Sequence, residues 1–142
     1  MQLLTGAERL LARRFATILL AHGRTLDDWR VISLLADGAG HPMTELAERA
    51  FLPPASLTRL VDHLVDDNVL YRRVDDVDRR RIRAYLTPRG RRLDQRITQE
   101  LHEDLRELYA TTDTQEHLAQ SLSALIDALS PTADRGPLPA RR

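Results

Sequence analysis

Leucine, isoleucine and valine recur at intervals of three and four along nearly the whole 142-residue chain, and only Ile82-Arg83-Ala84-Tyr85-Leu86 alternates strictly. The first spacing lays apolar side chains along one stripe of an α-helix; alternation lays them on one face of a strand. A mainly α fold with a small β-hairpin follows. Ala7, Leu10, Leu11, Phe15, Ile18 and Leu19 predict a helix over about 6–22, and Trp29, Ile32, Leu34 and Leu35 one over 26–37. A short helix over 43–50 and a longer one over 54–67 come next, the latter burying Leu57, Leu60, Val61, Leu64 and Val65. Residues 69–74 and 82–87 read as two strands, and helices over about 88–110 and 114–129 complete the order.

End signals agree with these spans. Thr5-x-x-Glu8, Thr25-x-x-Asp28 and Asp113-x-x-Glu116 have the form of capping boxes, in which two orphan backbone donors are satisfied reciprocally. Thr87-Pro88 places a cap before a first-turn proline, Gly23 and Gly38 mark stops, and Asn68 suits a left-handed exit. The connection Asp75–Arg81 is longer than an ordinary hairpin loop, and long loops are more often functional.

All 21 basic residues are arginine and balance 21 acids, yet their distribution is uneven. Segment 71–96 holds ten arginines against four acids, while 97–130 carries a net charge of −6. A basic patch beside an acidic segment suits a protein that turns one face to a polyanion. The absence of cysteine excludes thiol chemistry and thiolate metal sites. Neither a membrane-length apolar run nor a signal peptide appears, so a soluble, cytoplasmic protein is expected. No H-E-x-x-H, phosphate loop or triad spacing points to an enzyme. His102, Glu103 and His117 are lone polar residues rather than a metal set, and neither metal nor cofactor is expected.

The order helix, helix, turn, helix, hairpin is that of a winged helix-turn-helix, with 54–67 as the recognition helix and the hairpin as the wing. LTRLVDHL (57–64), DRR…LTPRG (78–80 and 86–90), TLDDWRVISLL (25–35) and ELAERA (45–50) together resemble the MarR (multiple antibiotic resistance regulator) family of bacterial transcription factors. The resemblance runs over roughly 5–130, with Arg81, Pro42, Pro53 and Asn68 departing from the usual residues. It implies a homodimer with helices from 1–25 and 88–130 at the interface, a winged domain over 26–87, and a regulator that binds a pseudo-palindromic operator as a ligand-responsive repressor. The aperiodic stretch 131–142 reads as a disordered tail.

On the recognition helix, the side opposite the leucines carries Ser56, Arg59, Asp62 and His63, with Thr58 a further candidate for DNA contact. A guanidinium such as that of Arg59 can bond guanine O6 and N7 together, and Asp62 is placed to pair with Arg59 at i+3. On the wing, the resemblance implies minor-groove insertion by Arg79 or Arg80, with Asp78 bracing Arg80; Arg72 and Arg81 are phosphate candidates. Phe15, His22 and Trp29 lie where the family forms its cavity for a small aromatic or anionic effector, though Trp29 is equally a core residue. The competing reading is a winged-helix scaffold for protein contacts that binds no DNA; it has no need of a basic tip.

Overall fold

The computed structural model describes residues 2–109 and 115–129, which form two compact units, one ending at Glu103 and one beginning at Asp104. In the first unit, α1 (Gln2–Ala21) leads to α2 (Leu26–Leu34), β1 (His41–Pro42), α3 (Met43–Arg49), α4 (Pro54–Asp66), β2 (Leu70–Val74) and β3 (Ile82–Leu86). Helix α5 (Pro88–Tyr109) then continues into the second unit, which holds α6 (Gln115–Leu129). The winged helix-turn-helix and its hairpin are present in the expected order.

Some element limits differ from expectation, and one strand is additional. Thr5 and Glu8 lie within α1, which begins at Gln2; the good helix formers Gln2, Leu3 and Leu4 carry the helix back through them. Helix α2 stops at Leu34 rather than 37, because Leu35 and Ala36 donate to carbonyls three residues back, Ile32 O and Ser33 O, and Gly38 turns the chain at φ +75°. The second strand begins at Leu70 rather than 69. Strand β1 is new: it pairs His41 and Pro42 with Ala84 and Arg83, giving an antiparallel sheet in the order β1-β3-β2. The Asp113 cap and the 131–142 tail lie outside the described residues.

Local chemistry fixes the other ends. The Asp28 N–H donates to Thr25 Oγ1 (3.1 Å) and the Thr25 N–H to Asp28 Oδ2 (2.8 Å), completing the predicted capping box. Helix α4 opens on Pro54 after Pro53, and neither Pro53 nor the α3 N-cap Pro42 supplies a side-chain cap. Helices α1, α3 and α4 close alike: the left-handed residues Gly23, Phe51 and Asn68 (φ +65°, +56° and +55°) donate to Leu20 O, Glu48 O and Val65 O. The residue after each donates to the carbonyl one residue further back, Leu19 O, Ala47 O and Leu64 O, the Schellman arrangement that satisfies orphan carbonyls.

One core unites these elements. Leu19 of α1, Ile32 of α2, Leu46 of α3, Leu57 and Leu64 of α4, Leu70 and Leu86 of the sheet and Ile97 of α5 are all buried. Each such side chain contributes roughly 1.5–3 kcal/mol by leaving water. At the wing-to-α5 junction the Thr87 hydroxyl lies within hydrogen-bond distance of Asn68 O (2.8 Å) and Val69 O (3.1 Å) and accepts from the Gly90 N–H (2.9 Å). A Cβ at Gly90 would stand 2.2 Å from Val69 O, so the helix start lies against the strand only because residue 90 has no side chain.

Candidate nucleic-acid interface

The wing loop is organised from beneath by Asp75, a residue the sequence did not single out among three aspartates in four positions. Its side chain is buried at the end of β2. Oδ1 accepts from the Val77 N–H (2.8 Å) and the Asp78 N–H (3.2 Å), and Oδ2 accepts from Arg83 Nε. The Arg83 bond and the backbone donors hold the Asp75 carboxyl down at about 2. Arg83 Nη1 reaches on to Gly40 O (3.0 Å), tying the wing to the loop before β1. Arg83 is thus a wing strut. Gly40 permits close packing there, since a Cβ would fall 2.1 Å from the Tyr85 ring, which stacks on Tyr71 at 5.2 Å.

Asp78 braces the tip somewhat differently from expectation. Its Oδ1 accepts from the Arg80 backbone N–H (3.0 Å), while its carboxylate pairs with the guanidinium of Arg81 (Nε–Oδ2 3.3 Å) rather than that of Arg80. Asp62 likewise pairs with Arg72 (2.5 Å), not Arg59. The second Arg72 nitrogen lies 3.5 Å from Thr58 O, so this arginine ties β2 to α4. The Thr58 hydroxyl donates to Pro54 O (2.9 Å) within its own helix.

These pairings isolate three arginines. Arg59 on the exposed side of α4 and Arg79 and Arg80 at the wing tip are exposed. Among the described residues, no hydrogen bond or ion pair engages their guanidinium groups. Ser56, one turn before Arg59 and Leu60, is exposed in the same way. Between the tip and the start of α3 lies an open cavity of about 270 Å³ lined by Pro42, Met43, Thr44, Arg80, Arg81 and Ile82.

Of the three effector candidates, two meet within the first unit, while His22 faces α5. Phe15 and Trp29 meet edge to face at 6.0 Å. The Trp29 Nε1–H is buried and finds no acceptor among the described residues. His22 Nε2 lies 3.0 Å from both carboxylate oxygens of Glu100 on α5. Among the described residues, no three His, Asp or Glu side chains converge on a metal position, and no helix is long and apolar enough to cross a membrane.

Comparison with known proteins agrees with this geometry. The family model described as MarR family matches residues 22–81. The HTH-type transcriptional regulator FarR of Neisseria gonorrhoeae is 31% identical over 100 residues, covering 70% of this chain and 68% of that protein. The chain belongs to the MarR family. A second MarR-type relative, the homoprotocatechuate degradative operon repressor of Escherichia coli, is 27% identical over 114 residues, 79% of this chain and 77% of its own. Among solved structures, NadR in complex with 4-hydroxyphenylacetate superposes with a TM-score of 0.77 at 27% identity, over 89% of this chain and 90% of that one. As a MarR-family winged-helix protein, the chain is a DNA-binding transcriptional regulator. Its relatives here are regulators rather than enzymes.

Proposed function

We propose that this MarR-family regulator is a homodimeric repressor that reads its operator through Ser56, Thr58 and Arg59 of α4 and anchors it through the wing. The observation that carries the reading is the isolation of Arg59, Arg79 and Arg80 on a surface where neighbouring arginines are paired. A guanidinium without an internal partner loses no ion pair when it meets a phosphate or base. Arg79 and Arg80 enter the flanking minor groove, where negative potential is concentrated. A phosphate fits the cavity between Thr44, Arg80 and Arg81. Arg72 acts at one remove, holding β2 to α4 through Asp62.

A second copy supports the two lobes. Leu3, Leu10 and Leu20 of α1 stay exposed, as do Leu118, Leu122, Leu125, Ile126 and Leu129 of α6, each between 37% and 91%. Contiguous apolar faces of this kind mark association surfaces. Two-fold symmetry then sets half-sites about one helical turn apart. Selection from sheared genomic DNA, followed by footprinting, tests the reading; a protein that enriches no fragment and protects no paired half-sites refutes it, and the scaffold reading replaces it.

The effector we assign is a small aromatic acid. Its ring packs on Phe15 and Trp29, its polar group accepts from Trp29 Nε1, and its carboxylate takes the place of Glu100 at His22. Two relatives support this class, since NadR is bound to 4-hydroxyphenylacetate and the Escherichia coli protein is the repressor of a homoprotocatechuate degradative operon. Trp29 is the only tryptophan, so its fluorescence reports binding directly. Titration with 4-hydroxyphenylacetate and related acids should quench it in the wild type and not in His22→Ala. No response to any aromatic acid refutes the assignment.

A further inference from the structure

The corner between α3 and α4 holds a residue that stability alone does not explain. Of the three helices that end in a Schellman arrangement, two place Gly23 and Asn68 at the left-handed position, and the third places Phe51 there at φ +56°. Glycine and asparagine tolerate that conformation, whereas the Cβ of a phenylalanine crowds the following carbonyl. Strain of this kind persists where the side chain serves a contact. Among the described residues none covers it: Phe51 is 88% exposed, and the apolar contact at this corner is made by the next residue, Leu52, which packs on the core.

The surroundings indicate what covers the ring. Exposed Pro53, Pro54 and Ala55 follow it and lead directly to Ser56 and Arg59. No charged residue lies between Ala50 and Thr58. The head of α4 therefore presents an apolar lip beside a polar reading surface. In the major groove, the apolar group that distinguishes one base from the others is the thymine 5-methyl.

We infer that Phe51 is a specificity-determining residue whose ring packs on a thymine 5-methyl group at the edge of the half-site. The inference rests on α4 being the recognition helix. It adds an apolar element to a readout otherwise made of hydrogen bonds, and it accounts for a strained residue at a position where glycine would fit.

The test uses the operator selected by the full-length wild type, with deoxyuridine replacing thymine at each position in turn. At one thymine per half-site, loss of the methyl should cost the wild type about fourfold in affinity, the value of one buried methyl-sized group. Phe51→Gly should bind the thymine and uridine operators alike, and more weakly than the wild type, yet melt at a higher temperature because the backbone strain is gone. Phe51→Leu should keep part of the discrimination. Misfolding cannot imitate a variant that becomes more stable and binds less well. If Phe51→Gly matches the wild type on the thymine operator, or if no thymine separates the two proteins, the ring serves another partner and the inference fails while the role of Arg59 stands. If the wild type selects no DNA, the reading of α4 fails and this inference with it.

Discussion

Removing a single wing guanidinium should change how binding responds to salt more than it changes the protein. Arg79 and Arg80 are exposed and unpartnered among the described residues, so Arg79→Ala or Arg80→Ala should leave folding stability within roughly 0.5 kcal/mol of the wild type. Each phosphate neutralised by an arginine contributes about −0.9 to the slope of log K against log[salt]. A dimer loses two such contacts, so the slope should flatten by roughly 1.8. Across a fourfold rise in salt, from about 50 to about 200 mM, the wild type should then lose about twelvefold more affinity than the variant. The loss should be similar on operator and unrelated DNA, because phosphates carry no sequence. Arg59→Ala should do the opposite: it relaxes preference at one base pair per half-site, worth about 1–3 kcal/mol of discrimination, and leaves other positions unchanged. Fluorescence anisotropy with operator and scrambled duplexes over a salt series measures both effects. Unchanged slopes for Arg79→Ala and Arg80→Ala together would show that the wing tip does not touch DNA.

Two carboxylates should respond to pH in opposite ways, and the association surface offers a further test. The Asp75 pKa is depressed to about 2, so its brace contributes above the ordinary carboxylate value and is lost as pH falls through about 2; protection of the Val77 and Asp78 amides against hydrogen exchange, taken relative to an unstructured chain at the same pH, should fall over that range, and Asp75→Asn should lower it at neutral pH. Burial raises the Asp94 pKa, so ionised Asp94 opposes folding. Asp94→Asn should therefore stabilise the chain at pH 7 in urea titrations, the gain fading below about pH 4 where the carboxyl is protonated in both states. Leu122→Glu should place a carboxylate in the apolar dimer face at a cost of at least about 2 kcal/mol, shifting sedimentation toward the monomer. Leu101 gives no such test of the interface, because it is buried in the chain's own core.

What the sequence disclosed followed the range of each interaction. Helix spans, the Thr25–Asp28 box and the left-handed Asn68 were legible because their causes lie within a few residues. Strand β1 was not, since two residues have no period and its partner lies more than forty positions away. Asp62 was matched with Arg59 by helical spacing, yet the hairpin brings Arg72 to it from ten residues on. Asp75 was hidden for a related reason: its role depends on Arg83 crossing the wing and on backbone donors that only the folded loop aligns. The arginines at the tip stood out through charge density alone, and those that serve as struts resembled them in sequence.

The junction at Gly90 bears on how a signal would travel. With the first turn of α5 resting on the carbonyl of Val69 and bonded through Thr87, there is no clearance in which one part could move before the other. The beginning of α5 and the root of β2 are thus joined by direct contacts, and the Arg72–Asp62 pair links β2 to α4. In the proposed reading, an effector that displaced Glu100 from His22 would therefore act on wing and α4 through one connected set of contacts, as a change of aim rather than a loss of shape.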